Sequence, residues 1–237
     1  MLTDSTSSPA VIAIIVAAGV GSRMGGDLPK QYLTIAGKTM LEHSVGKLTR
    51  DDRIRRVIVV LSPTDTIGPS LSFASPKVEL ARVGGSSRAM SVKNGIAFSG
   101  AEKNDWILVH DAARPCVIPA DISKLIDACV REQRGGILAT RINDTIKEAS
   151  DRQLILRTLP RDGKWAAQTP QMFRCGDLAE AMSQNLDTVT DEASALEQMG
   201  YSPLLVEGAP TNLKVTRPED LWLADLIISA QNKGNGS

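Results

Sequence analysis

The sequence predicts an α/β fold: a mostly parallel, twisted sheet with helices on both faces and one protruding β-hairpin arm. Three observations support it. Short apolar, β-branched runs alternate with stretches of helical periodicity, their spacing is that of strand–helix–strand units, and glycine loops follow several of the runs. Right-handed crossovers between parallel strands then place helices on both faces, with ligands beyond the carboxyl ends of the strands.

The elements follow in order. Leu2 to Pro9 is polar and lacks Lys and Arg, so residues 1–9 read as a disordered tail. Val11–Val16 is a buried strand feeding the loop Gly19-Val20-Gly21. Thr39–Thr49 is helical, with Met40, Leu41, Val45 and Leu48 on one face. Val57–Leu61 is a strand closed by Ser62-Pro63, and Val78–Val83 is a strand ending in Gly84-Gly85. Ser86–Phe98 is helical, and Trp106–Val109 is a strand that surfaces at His110-Asp111. Asp121 is expected to cap a helix carrying Ile122, Leu125, Ile126 and Cys129. Gly136–Ala139 is again a strand.

Residues 141–165 break this rhythm. Asn143–Glu148 and Leu154–Leu159 flank Ala149-Ser150-Asp151-Arg152, the pattern of a hairpin leaving the main body. An extended two-stranded arm is marginal alone and needs a second chain to cover it. Beyond it come helices near Cys175–Leu186 and Thr190–Met199, strands at Pro203–Val206 and Leu213–Thr216, and a closing helix from Pro218. Residues 232–237 read as a second disordered tail, leaving one domain over 10–231.

Composition narrows the function. The 237 residues are 42% hydrophobic, enough for a sizeable core, and Lys+Arg and Asp+Glu both number 27. A formal net charge of zero argues against nucleic acid or an anionic membrane as the main partner. Cys116, Cys129 and Cys175 form no Cys-x-x-Cys pair, and only His43 and His110 could join them, which disfavours a structural zinc site. Reduced thiols and the lack of a basic signal-peptide flank place the chain in the cytoplasm.

The chemistry-bearing residues cluster after strands. Glycines after Val11–Val16 let backbone N–H groups approach phosphates, and Arg23 and Lys30, the latter after Pro29, offer cations. The loop is not a dinucleotide fingerprint, since Met24 stands where a third glycine belongs. Gly37-Lys38-Thr39 is not a Walker loop, since Tyr32 stands where its first glycine belongs. Asp111 either holds Mg²⁺ together with phosphate oxygens or serves as a cap or ion-pair partner of Arg114. His110 is a packed core histidine. Gly84-Gly85-Ser86-Ser87 either binds an anion or a base edge, or simply starts a helix capped by Ser86 or Ser87. Thr190 is an N-cap, and Lys214 lies in an apolar β-type run, at a solvated edge or in a site.

Ala17-Ala18-Gly19-x-Gly21-x-Arg23-Met24, Pro29-Lys30-Gln31-Tyr32, Gly84-Gly85-x-x-Arg88-x-x-Ser91-Val92, His110-Asp111-Ala112-Ala113-Arg114-Pro115, Gln168-Thr169-Pro170-Gln171, Thr190-Asp191-Glu192-Ala193 and Lys214-Val215-Thr216 occur in this order. Together they resemble the 2-C-methyl-D-erythritol 4-phosphate cytidylyltransferase family over nearly the whole chain. The resemblance implies a Rossmann-like nucleotidyltransferase fold, CTP as co-substrate, Mg²⁺, and a homodimer joined through the arm. It implies that Ala17, Ala18, Gly19 and Gly21 contact CTP, that Gly85, Ser86 and Ser91 surround the cytidine, and that Asp111 holds the metal. Arg23 and Lys30 would stabilise the transition state, and Arg161 and Lys214 would place the incoming phosphate. Arg114, Thr145, Arg161, Thr169, Thr190 and Lys214 would surround the sugar phosphate, Thr145 and Arg161 reaching in from the partner chain. Position 86 is Ser where some members carry an acidic residue. The rival readings are a ribitol-5-phosphate cytidylyltransferase, disfavoured by Ala112-Ala113, and a non-catalytic nucleotide-binding module on the same fold.

Overall fold

The structure is a computed structural model and describes residues 10–19, 28–184, 186 and 188–234. Its centre is a seven-stranded sheet, formed by β1 (Val11–Val16), β4 (Ile54–Val60), β5 (Val78–Ala81), β6 (Trp106–Asp111), β7 (Gly136–Arg141), β10 (Trp165–Arg174) and β11 (Leu204–Glu207). The strand order is β11-β7-β10-β6-β1-β4-β5. β1 pairs in parallel with β4 and β6, β4 with β5, and β11 with β7, while β10 runs antiparallel between β6 and β7.

Alternation along the strands builds two cores. Val11, Ala13 and Ile15 face one side with Val57, Val59 and Leu108. Ile12 and Ile14 face the other with Ile58, Val60, Ile107 and Val109. Helices α1 (Met40–Leu48) and α3 (Pro119–Glu132) cover the first side through Leu41, Val45, Ile122 and Leu125. Helices α2 (Arg88–Ser99), α4 (Cys175–Ala181) and α5 (Glu192–Glu197) cover the second through Val92, Ile96, Leu178 and Leu196. The closing helix α6 (Pro218–Gly234) packs Ala224 and Ile228 on Met40, on Val215 and on Ile35 of β2 (Thr34–Ile35), which pairs with β3 (Lys38–Thr39).

Local chemistry explains most boundaries. Thr39 starts α1 with a full capping box, its side chain accepting from Glu42 N while Glu42 reaches back. The hairpin arm is β8 (Ile146–Ala149) paired antiparallel with β9 (Ile155–Leu159). Leu154, Ile155 and Leu156 on it are 63–66% exposed.

Five sequence expectations are corrected. Strand β10 went unread because Gln168, Pro170 and Gln171 interrupt its apolar pattern, and its ladder shifts register between Ala167 and Gln171. Helix α3 has Ile118 at its N-cap position, with no side-chain cap, and Pro119 following; Asp121 lies in its first turn and accepts from Ala209 N at 2.7 Å. Asp191 rather than Thr190 caps α5, accepting from Ser194 N at 2.9 Å. Leu213–Thr216 is not a strand but a loop fastened by Val215 N donating to Ala113 O at 2.8 Å. Residues 232–234 belong to α6 rather than to a tail. The tails expected at residues 1–9 and 235–237 lie outside the described residues.

His110 is fully buried in β6. Its Nε2 lies 3.2 Å from Arg114 O, which can only accept, so Nε2–H donates there and Nδ1 accepts from Thr169 Oγ1 at 3.0 Å. Burial pushes the imidazole from 6.5 down to about 4, so the folded chain holds it neutral. The unfolded chain takes up this proton below about pH 6.5, so the His110 contribution is present above that pH and is lost as pH falls towards 4. The expected loss is on the order of 3 kcal/mol across that window. An imidazole NMR titration of the folded protein should find His110 neutral well below pH 6; a midpoint at 6.5 would contradict the assignment.

Candidate active site

The carboxyl ends of β1, β4 and β6 lie side by side, with Val16 in register with both Val60 and Asp111. The chain leaves β1 as Ala17-Ala18-Gly19, leaves β6 at Asp111, and passes from β5 through Gly84 to α2. A cavity of about 560 Å³ opens between these exits, lined among others by Ala18, Gly19, Lys30, Gly85, Asp111 and Lys214. A second cavity of about 420 Å³, around Arg134, Phe173 and Tyr201, contains none of the sequence-predicted site residues.

Backbone packing fixes the walls. Gly84 N donates to Leu61 O at 2.8 Å, and a Cβ on Gly84 would fall 2.7 Å from that oxygen and against the Ala18 methyl. Ser87 caps α2 by accepting from Met90 N at 3.1 Å, so the capping alternative is met at Ser87, while Ser86 stays exposed at the cavity. The buried Ser91 hydroxyl accepts from Gly85 N at 3.0 Å and donates to Ser87 O at 2.9 Å, which closes this loop on itself.

Lys30 begins a single helical turn after Pro29, and its ammonium donates to Val215 O at 3.3 Å. The next side chain, buried Gln31, donates to Ala17 O at 2.9 Å and ties this turn to the loop after β1. Tyr32 donates to Asp65 Oδ2 at 2.6 Å, and burial followed by Asp65 pushes its phenol upward, so it stays protonated.

Asp111 is the electrostatic centre. It is 6% exposed, its Oδ1 accepts from Arg88 Nε at 2.8 Å, and its Oδ2 lies 2.7 Å from Lys214 Nζ. Burial alone would raise its carboxyl, but the Arg88 and Lys214 charges outweigh burial and hold it well below the usual carboxylate range. Its backbone N–H donates to Thr169 Oγ1 at 3.0 Å, so the Thr169 hydroxyl is committed between Asp111 and His110. Arg88 is in turn held by Glu192, through Nη1–Oε1 at 2.6 Å and Nη2–Oε2 at 3.0 Å.

Of the alternatives left open for Asp111, an ion pair is present, with Arg88 and Lys214 rather than Arg114. The Arg114 guanidinium turns to Asn212 O at 2.7 Å and Ala167 O at 3.3 Å, and its buried Nε has no hydrogen-bond partner among the described residues. Ala17, Ala18, Gly19, Lys30, Gly85, Ser86, Ser91, Asp111 and Lys214 therefore share one cavity. Thr145 and Arg161 do not join them: both are exposed on or beside the arm, where Arg161 donates to Asn143 O. Thr190 is exposed before α5, its hydroxyl 3.4 Å from Ser194 Oγ. Gly21 and Arg23 lie outside the described residues. Gln31, Arg88 and Glu192 were given no role in the sequence. The only hint was the place of all three inside motifs, because their partners are remote.

No three His, Cys, Asp or Glu side chains gather as a ready-made metal cage among the described residues. Asp111 still suits a hard cation: among the described residues each oxygen has one partner and keeps acceptor capacity, and Mg²⁺ is commonly held by a single carboxylate plus phosphate oxygens and water. The three cysteines are buried and free, with Cys116 and Cys129 pushed up to about 12 by burial, so they supply no thiolate.

A parallel-sheet edge bearing glycine loops, an isolated carboxylate and converging cations defines a nucleotidyltransferase. The profile of 2-C-methyl-D-erythritol 4-phosphate cytidylyltransferase matches residues 11–230, and the chain belongs to that family. The enzyme of that name from Laribacter hongkongensis is 47% identical over 225 residues, covering 94% of this chain and 98% of its own. The one from Vibrio parahaemolyticus is 47% identical over 93% of this chain and 96% of its own. The solved Francisella tularensis enzyme superposes with a TM-score of 0.79 at 36% identity, covering 92% of this chain and 99% of that one. A solved 4-diphosphocytidyl-2C-methyl-D-erythritol synthase gives 0.82 at 39% identity, over 93% and 100%.

The two glycine loops differ in what they tolerate. Gly84→Ala should destabilise the fold by about 1–3 kcal/mol through overpacking. Gly19→Ala, where a Cβ meets nothing within 4 Å among the described residues, should be close to neutral. Denaturant titration of both variants checks this; equal effects would contradict the packing described.

Proposed function

We infer that the chain is the cytidylyltransferase that joins CTP to 2-C-methyl-D-erythritol 4-phosphate, giving 4-diphosphocytidyl-2-C-methyl-D-erythritol and pyrophosphate in isoprenoid precursor synthesis. The observation that carries this is the cation-lined cavity at the β1–β6 edge in a chain of this family. A phosphate oxygen of the sugar phosphate attacks the α-phosphorus of CTP in line. The bond to the β-phosphate bridging oxygen breaks, and pyrophosphate leaves with its electron pair.

The described residues of the cavity support this chemistry. A phosphate monoester has its second pKa near ~6 and is largely ionised at neutral pH, so the attack needs no general base. That fits a site where His110 is neutral and engaged at both nitrogens and Asp111 is ion-paired. Catalysis is then positioning and charge stabilisation. Ala17, Ala18, Gly19, Gly85 and Ser86 flank the nucleotide, with Ser91 bracing the Gly85 loop from below. Lys30 meets charge on the triphosphate, as does Arg23 by the family pattern. Lys214, Arg114, Thr190 and, from a partner chain, Thr145 and Arg161 receive the sugar phosphate, while Thr169 places Asp111. Mg²⁺ on Asp111 would neutralise phosphate charge when bound.

The deciding assay is pyrophosphate release from CTP and Mg²⁺ with methylerythritol phosphate, compared with ribitol 5-phosphate. The first substrate should be strongly preferred. In the same assay Lys30→Ala should lower turnover about 10²–10³-fold while CTP affinity changes far less. A wild-type rate would remove Lys30 from this role.

A homodimer through the arm is part of the reading. Its support is the exposed apolar run Leu154, Ile155 and Leu156 on a hairpin whose strands pair only with each other among the described residues. No helix among the described residues is long and apolar enough to cross a membrane. Ile155→Asp should shift the protein to monomer in sedimentation velocity. Mixing inactive Arg161→Ala and Lys30→Ala chains should restore part of the activity; no restoration would count against a shared site.

A further inference from the structure

The row Lys214–Asp111–Arg88–Glu192 has one member that lies behind the cavity. Glu192 opens α5 and Arg88 opens α2, and 104 residues separate them. Glu192 is 0% exposed, and both its oxygens are taken by Arg88. Arg88 lines the cavity and Glu192 does not, so Glu192 acts on the cavity only through Arg88. A buried ion pair is a poor device for stability alone, because apolar side chains of similar volume commonly do as well.

We propose that Glu192 is a positioning residue for the CTP half of the site: by neutralising Arg88 it leaves the Asp111 carboxylate able to take a divalent cation beside the triphosphate. The proposal rests on the reading of Asp111 as the metal-holding carboxylate. Two cations, Lys214 and Arg88, touch Asp111, and the four side chains of the row sum to zero charge. Without the Glu192 charge the row sums to +1, at a depth where Coulomb interactions are weakly screened. Arg114 faces the same groups and contributes equally in both cases. The excess charge opposes a divalent cation at Asp111 and attracts a metal-free triphosphate. Distortion of the site would weaken both.

The test is CTP binding by isothermal titration calorimetry in the absence of sugar phosphate, in EDTA and again in Mg²⁺, with thermal melts confirming each variant is folded. The readout is the ratio of affinity with Mg²⁺ to affinity in EDTA. Glu192→Gln should lower this ratio roughly tenfold, with the EDTA affinity unchanged or stronger. The double variant Arg88→Gln/Glu192→Gln, which restores zero charge, should regain part of the ratio, and Glu192→Asp should keep it near wild type. Equal weakening in both buffers for Glu192→Gln, or no regain in the double variant, overturns the proposal. If Glu192→Gln does not fold, the double variant and Glu192→Asp decide it: ratios near wild type support it and collapsed ratios overturn it. Asp111→Asn separates the two readings. If it collapses the ratio while Glu192→Gln leaves it intact, only the Glu192 proposal fails; if it leaves the ratio intact, the reading of Asp111 fails and the proposal with it.

Discussion

The Asp111 carboxylate lies almost wholly out of water at the end of the central strand β6, where an unpaired charge would cost several kcal/mol. The protein answers that charge from two directions, with Arg88 from the start of α2 and Lys214 from the loop before α6. Much else follows from that requirement. Arg88, drawn in, needs its own counter-charge, and Glu192 supplies it. Lys214 must be delivered to the sheet edge, so its loop is fastened to Ala113 O by Val215 N and seated by the burial of Val215 beneath α6.

The same edge is braced by neutral groups. Thr169 and His110 form a chain behind Asp111 that fixes its backbone. Gln31 holds the turn bearing Lys30 to the carbonyl of Ala17. The charged groups facing the cavity are therefore set by a strand end, helix starts and the fastened Lys214 loop, while the glycine loops leave room for a ligand. This is the division of labour expected where charge stabilisation is the main catalytic device.

How much was legible in the sequence depended on whether the cause was local. β1, β4 and β6 were readable because strands buried on both faces appear as unbroken apolar runs. β10 was not, since its polar Gln168 and Gln171 are satisfied by Ala209 O and Asp191, partners far along the chain. Leu213–Thr216 alternates like a strand, yet Val215 is buried by α6 rather than by a ladder. Capping residues misled at Asp121 and Thr190: α3 starts at Ile118-Pro119 with no side-chain cap, and Asp191 rather than its neighbour caps α5. At the site, Asp111 and Lys214 stood out as charges at or within strand-like runs, and Lys30 as a cation after Pro29. The Arg88–Glu192 pair could not, because no periodicity links residues so far apart.

The reversed strand β10 also sets an order of assembly. Chain up to Asp111 already contains β1, β4, β5 and β6, a parallel unit of local crossovers with α1 and α2 upon it. β7 cannot join that unit directly, since β10 lies between β6 and β7 and is made only after the arm. A nascent chain therefore carries an open β6 edge until residue 174 has emerged, and its acidic strand end lacks Glu192 and Lys214 until later still. Completion of the charged row around Asp111 is thus a late event in synthesis, reached only when Glu192 and Lys214 close over a scaffold laid down by residues 11–111.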